Sequence, residues 1–201
     1  MNLQTITLGG GCFWCTEAVF DRVRGITDVE SGYTNGHTVN PTYEQICQGD
    51  TGHAEVVRLT FDADEISLEE ILEIFFHTHD PTTLNRQGND RGTSYRSGIY
   101  YTSEAQKKVA EDTILDVEAS GLWPGSVKTE LKPAGDFWEA EPEHQDYLVR
   151  HPAGYTCHFP RPNWRLPARK AAAPARSKKG GFDFALDDGG DDQDAAFSRA
   201  S

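Results

Sequence analysis

Thr5-Ile6-Thr7-Leu8-Gly9-Gly10-Gly11-Cys12-Phe13-Trp14-Cys15 joins a strand to a helix through three glycines. Thr5 to Leu8 is a short β-rich run. The glycines let the chain turn tightly and leave backbone N–H groups accessible. A helical pattern follows, with Phe13, Ala18, Val19 and Val23 near one face, and stops at Gly25.

The same alternation continues outward. Val29 to Tyr33 reads as a strand, followed by a turn at Asn35-Gly36. In His53 to Phe61, Glu55, Val57, Leu59 and Phe61 share one face. Ser67-x-x-Glu70 is a capping box. It opens a helix with Leu68, Ile71, Leu72, Phe75 and Phe76 on one side, ended by Pro81. Thr82 to Ser94 is a long polar loop, and Ile99 to Tyr101 is a strand. Ser103-x-x-Gln106 caps a helix that runs to Ser120 and stops at Gly121. Val127 to Leu131 reads as a strand, Glu141 to Val149 as a short helix, and the rest as coil. Helices and strands mixed at this spacing predict a two-layer sandwich, a sheet with helices packed on it.

The composition shifts after Pro167. Ala168 to Gly180 is rich in Ala, Lys, Arg and Pro; Gly181 to Ser201 carries six aspartates and Arg199 as its one cation. The expectation is one domain over 1–167 and a disordered tail over 168–201, basic and then acidic. The formal net charge of -13 argues against nucleic-acid binding. There is no secretory pattern at the N-terminus, and no apolar run near the ~20 residues that span a bilayer. A cytoplasmic protein is expected, with its four cysteines reduced at rest.

Cys12 stands where the strand ends and the helix begins. A helix N-terminus carries roughly half a positive charge, which stabilises a thiolate there. The plainer reading is a small buried hydrophobe. The glycine run and the Phe13-Trp14 pair weigh against it, because aromatic rings beside a nucleophile can line an apolar pocket.

Several stretches, in order, carry a resemblance. They are Gly-Gly-Cys-Phe-Trp at 10–14, Gly-Tyr-Thr-Asn-Gly at 32–36, Pro41-Thr42-Tyr43, Gly52-His53-Ala54-Glu55-Val56 and His79-Asp80-Pro81-Thr82. The run Arg86 to Ser97, then Phe137 to Glu141 and His144 to Tyr147, complete the set. Over nearly all of 1–167 the chain resembles the peptide methionine sulfoxide reductase A (MsrA) family. The resemblance implies an α+β fold, a two-layer sandwich with a mixed sheet of ferredoxin-like, MsrA type. It also implies reduction of methionine S-sulfoxide, peptide-bound or free, in the repair of oxidised proteins. Thioredoxin would be the reductant, with no cofactor and no metal. A monomer without nucleic-acid or membrane partners is expected.

The resemblance also implies roles. Cys12 attacks the sulfoxide sulfur, and Glu55 is the acid. A carboxyl on the apolar face of Val57, Leu59 and Phe61 has a raised pKa; the residues alone leave open a later strand start with Glu55 exposed. Tyr43 and Tyr95 match hydroxyl donors to the sulfoxide oxygen, although a tyrosine is more often simply packed. Asp90 matches an organising aspartate, and Phe13 and Trp14 would hold the substrate methyl group. His53 is given no chemistry.

Attack leaves Cys12 as a sulfenic acid, which condenses with a second thiol. Cys157, in the C-terminal coil Gly154 to Phe159, matches a recycling cysteine. Cys15 departs from the glycine common at its position. It forms a CxxC with Cys12 and could resolve Cys12 directly or serve as a third relay thiol. Cys47 reads as a bystander in a loop. Two other readings compete: a thiol–disulfide oxidoreductase using Cys12 and Cys15, and a non-enzymatic zinc module using the cysteines and His158.

Overall fold

A computed structural model describes residues 1–157, so the expected boundary at Pro167 and the tail over 168–201 lie outside the described residues. The elements in order are β1 (Leu3–Gly10), α1 (Phe13–Phe20), β2 (Ile26–Thr34), α2 (Tyr43–Gln48), β3 (Ala54–Asp62) and α3 (Leu68–Thr78). They continue as β4 (Arg86–Gln87), β5 (Asp90–Arg91), β6 (Ser97–Tyr101), α4 (Glu104–Ser120), β7 (Glu130–Pro133), β8 (Phe137–Glu139) and α5 (Tyr147–Arg150).

Six strands form one sheet in the order β7-β6-β1-β3-β2-β8, and β4 pairs with β5 in a separate hairpin. β7 runs parallel to β6, and the other pairings in the large sheet are antiparallel. The sheet is therefore mixed, as expected. Strand alternation divides its faces. Ile6, Leu8, Val57, Leu59, Phe61 and Ile99 join Phe13 and Phe20 of α1, Ile71 and Phe75 of α3, and Ala110 and Val117 of α4 in the main core. Ala54, Val56 and Tyr100 form a small cluster with Ala134 and Phe137. The helices thus cover one face, which makes the two layers expected. Glu55 alternates with Ala54 and Val56 and belongs to the helix-covered face.

Both strong helix signals at Ser67 and Ser103 are realised. Ser67 accepts from Glu70 N–H, and Ser103 accepts from Gln106 N–H. Gly121 closes α4 at φ 64. Thr42-x-x-Gln45 is a further capping box with both reciprocal bonds formed. It starts α2, so Cys47 lies on a helix and not in a loop.

Other expectations need correction. α1 ends at Phe20, short of Gly25, because Val23 N–H turns back to the Phe20 carbonyl at 3.0 Å. The polar loop after Pro81 contains the β4–β5 hairpin. β7 starts at Glu130 because the backbone N–H groups of Val127 and Lys128 are bonded instead to Glu118 Oε1 and the Pro81 carbonyl. β8 replaces expected coil by pairing with the free edge of β2. The helix expected over Glu141 to Val149 is broken into a 3-10 turn, Pro142–His144, and α5. Gln145 separates them: its side chain accepts from Ser31 N–H and donates to the Ser31 carbonyl, both at 2.9 Å, docking this segment onto β2.

Candidate active site

The β1–α1 junction sets the site. Gly11 turns at φ 97, a left-handed conformation that a side chain would strain. Cys12 follows as the N-cap residue of α1, with its carbonyl accepting from Cys15 and Thr16 N–H. Cys12 is 6% exposed. Behind it, β3 brings Glu55, 1% exposed, to the start of the helix. Phe13 N–H donates to Glu55 Oε2 at 3.3 Å. The sequence reading of Glu55 on the apolar face is therefore correct, and the later-start alternative is not.

Burial pushes the Glu55 carboxyl up to about 8, against the Phe13 hydrogen bond, which favours the charged form. At neutral pH this group is mostly a protonated acid. Cys12 also moves up, through hydrogen-bonding contact with the Cys15 and Cys157 thiols, burial and the Glu55 charge. This runs against the expected stabilisation of a thiolate by the helix N-terminus. The partial charge of the helix end is outweighed by a dry pocket holding other acidic groups, and the resting nucleophile is a neutral thiol.

Tyr43 and Tyr95 face the same carboxyl. Both phenols are pushed up by burial first and by the Glu55 charge second, so both stay protonated donors. Tyr43 begins α2, and Tyr95 ends the short 3-10 turn Thr93–Tyr95. The Tyr43 ring stacks on Phe13 with centroids 6.4 Å apart and 16° between planes. Cys47 contacts the Tyr43 hydroxyl from the next turn of α2. Asp90, on β5, accepts from the Tyr155 hydroxyl at 3.0 Å through Oδ1. Its Oδ2 is buried with no hydrogen-bond partner among the described residues.

Several supporting residues were not singled out from the sequence. Glu141 accepts from Tyr43 N–H at 2.7 Å and from the Tyr33 hydroxyl at 2.9 Å, fixing the start of α2. His144 accepts at Nδ1 from Trp14 Nε1–H at 3.2 Å and stacks on Trp14. Tyr147 stacks on the same indole at 3.8 Å. Glu141 and His144 lie in stretches that carry the family resemblance, which was the available signal. His53 is structural: Nδ1 accepts from Gly36 N–H, and Nε2 pairs with the Thr38 carbonyl.

The C-terminal coil returns to α1. Cys157 N–H donates to Cys15 Sγ at 3.2 Å, and the two sulfurs are 3.5 Å apart. Cys12, Cys15 and Cys157 form one cluster of thiols. Around Cys12 the structure thus collects a protonated carboxyl, two phenols and two further thiols.

A family model for peptide methionine sulfoxide reductase matches residues 4–173. The chain belongs to the peptide methionine sulfoxide reductase family. A relative from Streptomyces coelicolor, named peptide methionine sulfoxide reductase MsrA, is 56% identical over 169 residues, covering 84% of this chain and 96% of the relative. Among solved structures, the reduced form of Mxr1 from Saccharomyces cerevisiae aligns with a TM-score of 0.76 and 36% identity, covering 80% of this chain and 93% of that one. Mxr1 in complex with Trx2 aligns at a TM-score of 0.55 and 26% identity, over 80% and 91% of the two chains. As a reductase of this family, the chain fits neither the zinc-module reading nor the simple CxxC oxidoreductase reading.

Proposed function

We propose that this chain reduces methionine S-sulfoxide, in peptides or free, to methionine, with thioredoxin as the final reductant. The single observation that carries the reading is Cys12 at the start of α1 beside a protonated, buried Glu55. Sulfoxide oxygen is a poor leaving group until it gains protons. An acid near neutral pKa beside a sulfur nucleophile meets that need.

In this reading the sulfoxide oxygen enters among Glu55, Tyr43 and Tyr95, and its methyl group lies against Phe13 and Trp14. Tyr43 and Tyr95 donate to the oxygen, and Glu55 gives it a proton. The Cys12 thiol loses its proton as its sulfur attacks, and the oxygen transfers formally to Cys12 as a sulfenic acid that carries the proton from Glu55, while the thiol proton restores the Glu55 acid. Asp90 orients the site through hydrogen bonds. Cys157 then condenses with the sulfenic acid, releasing water and forming a disulfide. A dithiol reductant reopens it by thiol exchange. The reductant assignment is supported by the Trx2-bound relative.

We read the inner strands as ferredoxin-like, because β1-α1-β2-β3-α3-β6 has βαββαβ connectivity with spatial order β6-β1-β3-β2. We place the catalytic domain at 1–167 in a monomeric cytoplasmic protein. Among the described residues no helix is long and apolar enough to cross a membrane.

The test uses the two sulfoxide epimers as separate substrates, with the full chain and a chain ending at Pro167. Both chains should consume the S epimer at similar rates and leave the R epimer untouched, measured by chromatography of the methionine formed. Consumption of the R epimer alone would overturn the substrate assignment. A large loss in the shorter chain would overturn the domain boundary.

A further inference from the structure

We propose that Arg96 is a positioning residue for sulfoxide reduction: its guanidinium closes the turn that presents the Tyr95 hydroxyl and ties that turn to the start of the Glu55 strand. The proposal rests on the sulfoxide-reductase reading above and extends it to a residue that acts through Tyr95. Arg96 follows Tyr95 directly, and its side chain is 13% exposed. The Thr93 carbonyl, at the start of the turn, accepts from Arg96 twice, from the backbone N–H at 3.3 Å and from Nη1 at 2.8 Å. Nη2 donates to the Gly52 carbonyl at 3.1 Å, just ahead of β3, and to the Asn35 carbonyl at 3.5 Å, just after β2. Nε donates to Glu130 Oε1 at 2.7 Å, at the start of β7. One planar group thus joins the Tyr95 turn to the ends of three strands.

Glu130 is a fixed anchor for that group. The Tyr100 hydroxyl donates to its Oε1 at 2.6 Å, and Lys132 Nζ pairs with its Oε2 at 2.6 Å. Burial opposes the charge on Glu130, but Lys132, Tyr100 and Arg96 outweigh it and hold the carboxyl below its ordinary range. The anchor is therefore ionised at neutral pH. The main chain is packed as closely. A Cβ on Gly9, near the end of β1, would stand 3.2 Å from the Arg96 carbonyl and 3.4 Å from the Glu55 carbonyl. Tyr95 is thereby held in register with the strand that leads to Cys12 and the strand that carries Glu55. A guanidinium spans these acceptors because its donors point in fixed, divergent directions. An ammonium is a point charge on a flexible stem and cannot meet all of them at once. Arg96→Lys keeps the charge and loses the span.

The test is a double-mutant cycle between Arg96→Lys and Tyr95→Phe. Full-length protein, fully reduced and then freed of dithiol, is mixed with saturating methionine S-sulfoxide. Methionine formed in the first turnover is followed by rapid quench and chromatography, and each variant's fold is checked by thermal unfolding. Arg96→Lys alone should slow the first turnover about tenfold, the scale of a small misplacement of a reacting group. In the Tyr95→Phe background, where the hydroxyl to be positioned is gone, the same change should cost less than about twofold. Glu130→Gln leaves the guanidinium and removes its anchoring charge. It should give a smaller loss of the same pattern, and it carries the test if Arg96→Lys does not fold. Equal losses in both backgrounds, or no loss from Arg96→Lys, would overturn the proposal and leave the reductase reading standing. Wild-type rates from Tyr95→Phe would overturn the donor role of Tyr95 and the proposal with it. No methionine from the wild type would overturn the reductase reading itself.

Discussion

Cys12→Ser is expected to abolish methionine formation, a loss on the order of 10⁴-fold or more for removal of a covalent nucleophile. Serine has nearly the shape of cysteine, and the N-cap position suits a hydroxyl. The fold should survive, as circular dichroism and thermal unfolding can verify. What is lost is chemistry. A serine hydroxyl is a far weaker acid and nucleophile than a thiol, and it has no counterpart of the sulfenic acid that accepts the oxygen. Cys15, Cys47 and Cys157 are not expected to substitute, because Cys12 is the N-cap residue next to the Phe13–Glu55 contact, whereas Cys15 is directed to the C-terminal coil. Turnover by Cys12→Ser within tenfold of wild type, measured with dithiothreitol as reductant, would contradict the assignment.

Glu55→Gln should slow the first, sulfoxide-reducing step by about 10²–10⁴-fold, the usual range for loss of a general acid. Glutamine keeps the shape and can still accept from Phe13 N–H, but it has no proton to give. The readout is methionine formed in a single turnover, with the rate of disulfide reduction measured separately and expected to change less. The pH profile separates acid loss from misplacement. Wild-type first-step rates should fall as pH rises through about 8, where Glu55 ionises. The glutamine variant should lack that limb.

Stability follows from the same burial. The folded pKa of Glu55, about 8, is above the ordinary 4.5. Between those values the folded protein holds a proton that the unfolded chain releases, so stability falls as pH rises across that window. Glu55→Gln removes this cost, which reaches a few kcal/mol by pH 8. The variant should unfold at a higher temperature than wild type at pH 8 and at nearly the same temperature at pH 5. A variant less stable at pH 8 would show that the carboxyl is a structural anchor and not a strained acid.

The parts of the fold visible in the sequence were those encoded locally. Ser67 and Ser103 announce helices because a cap hydroxyl and its partner lie three residues apart. Glu55 is placed correctly by strand alternation, which needs no knowledge of the neighbours. The missed parts depend on contacts across the chain. β8 is a strand because β2 offers an open edge more than 100 residues earlier in the chain. The Glu141–Val149 helix breaks because Gln145 bonds the backbone of Ser31. The neutral resting state of Cys12 was hidden for the same reason. A helix start and the neighbouring Cys15 are visible in the sequence, whereas the carboxyl and the second thiol that converge on Cys12 come from β3 and the C-terminal coil. The omission of α2 is different, since Thr42-x-x-Gln45 carries the same local signature as Ser67-x-x-Glu70.

The most direct measurement concerns the oxygen. In the double variant Cys15→Ser/Cys157→Ser, Cys12 has no resolving thiol in its cluster. One equivalent of methionine S-sulfoxide is added with dimedone, which traps sulfenic acids, and the protein is mapped by mass spectrometry. One methionine should form per chain, with one dimedone adduct at Cys12. Methionine formed while Cys12 stays unmodified would contradict attack by Cys12 on the sulfoxide.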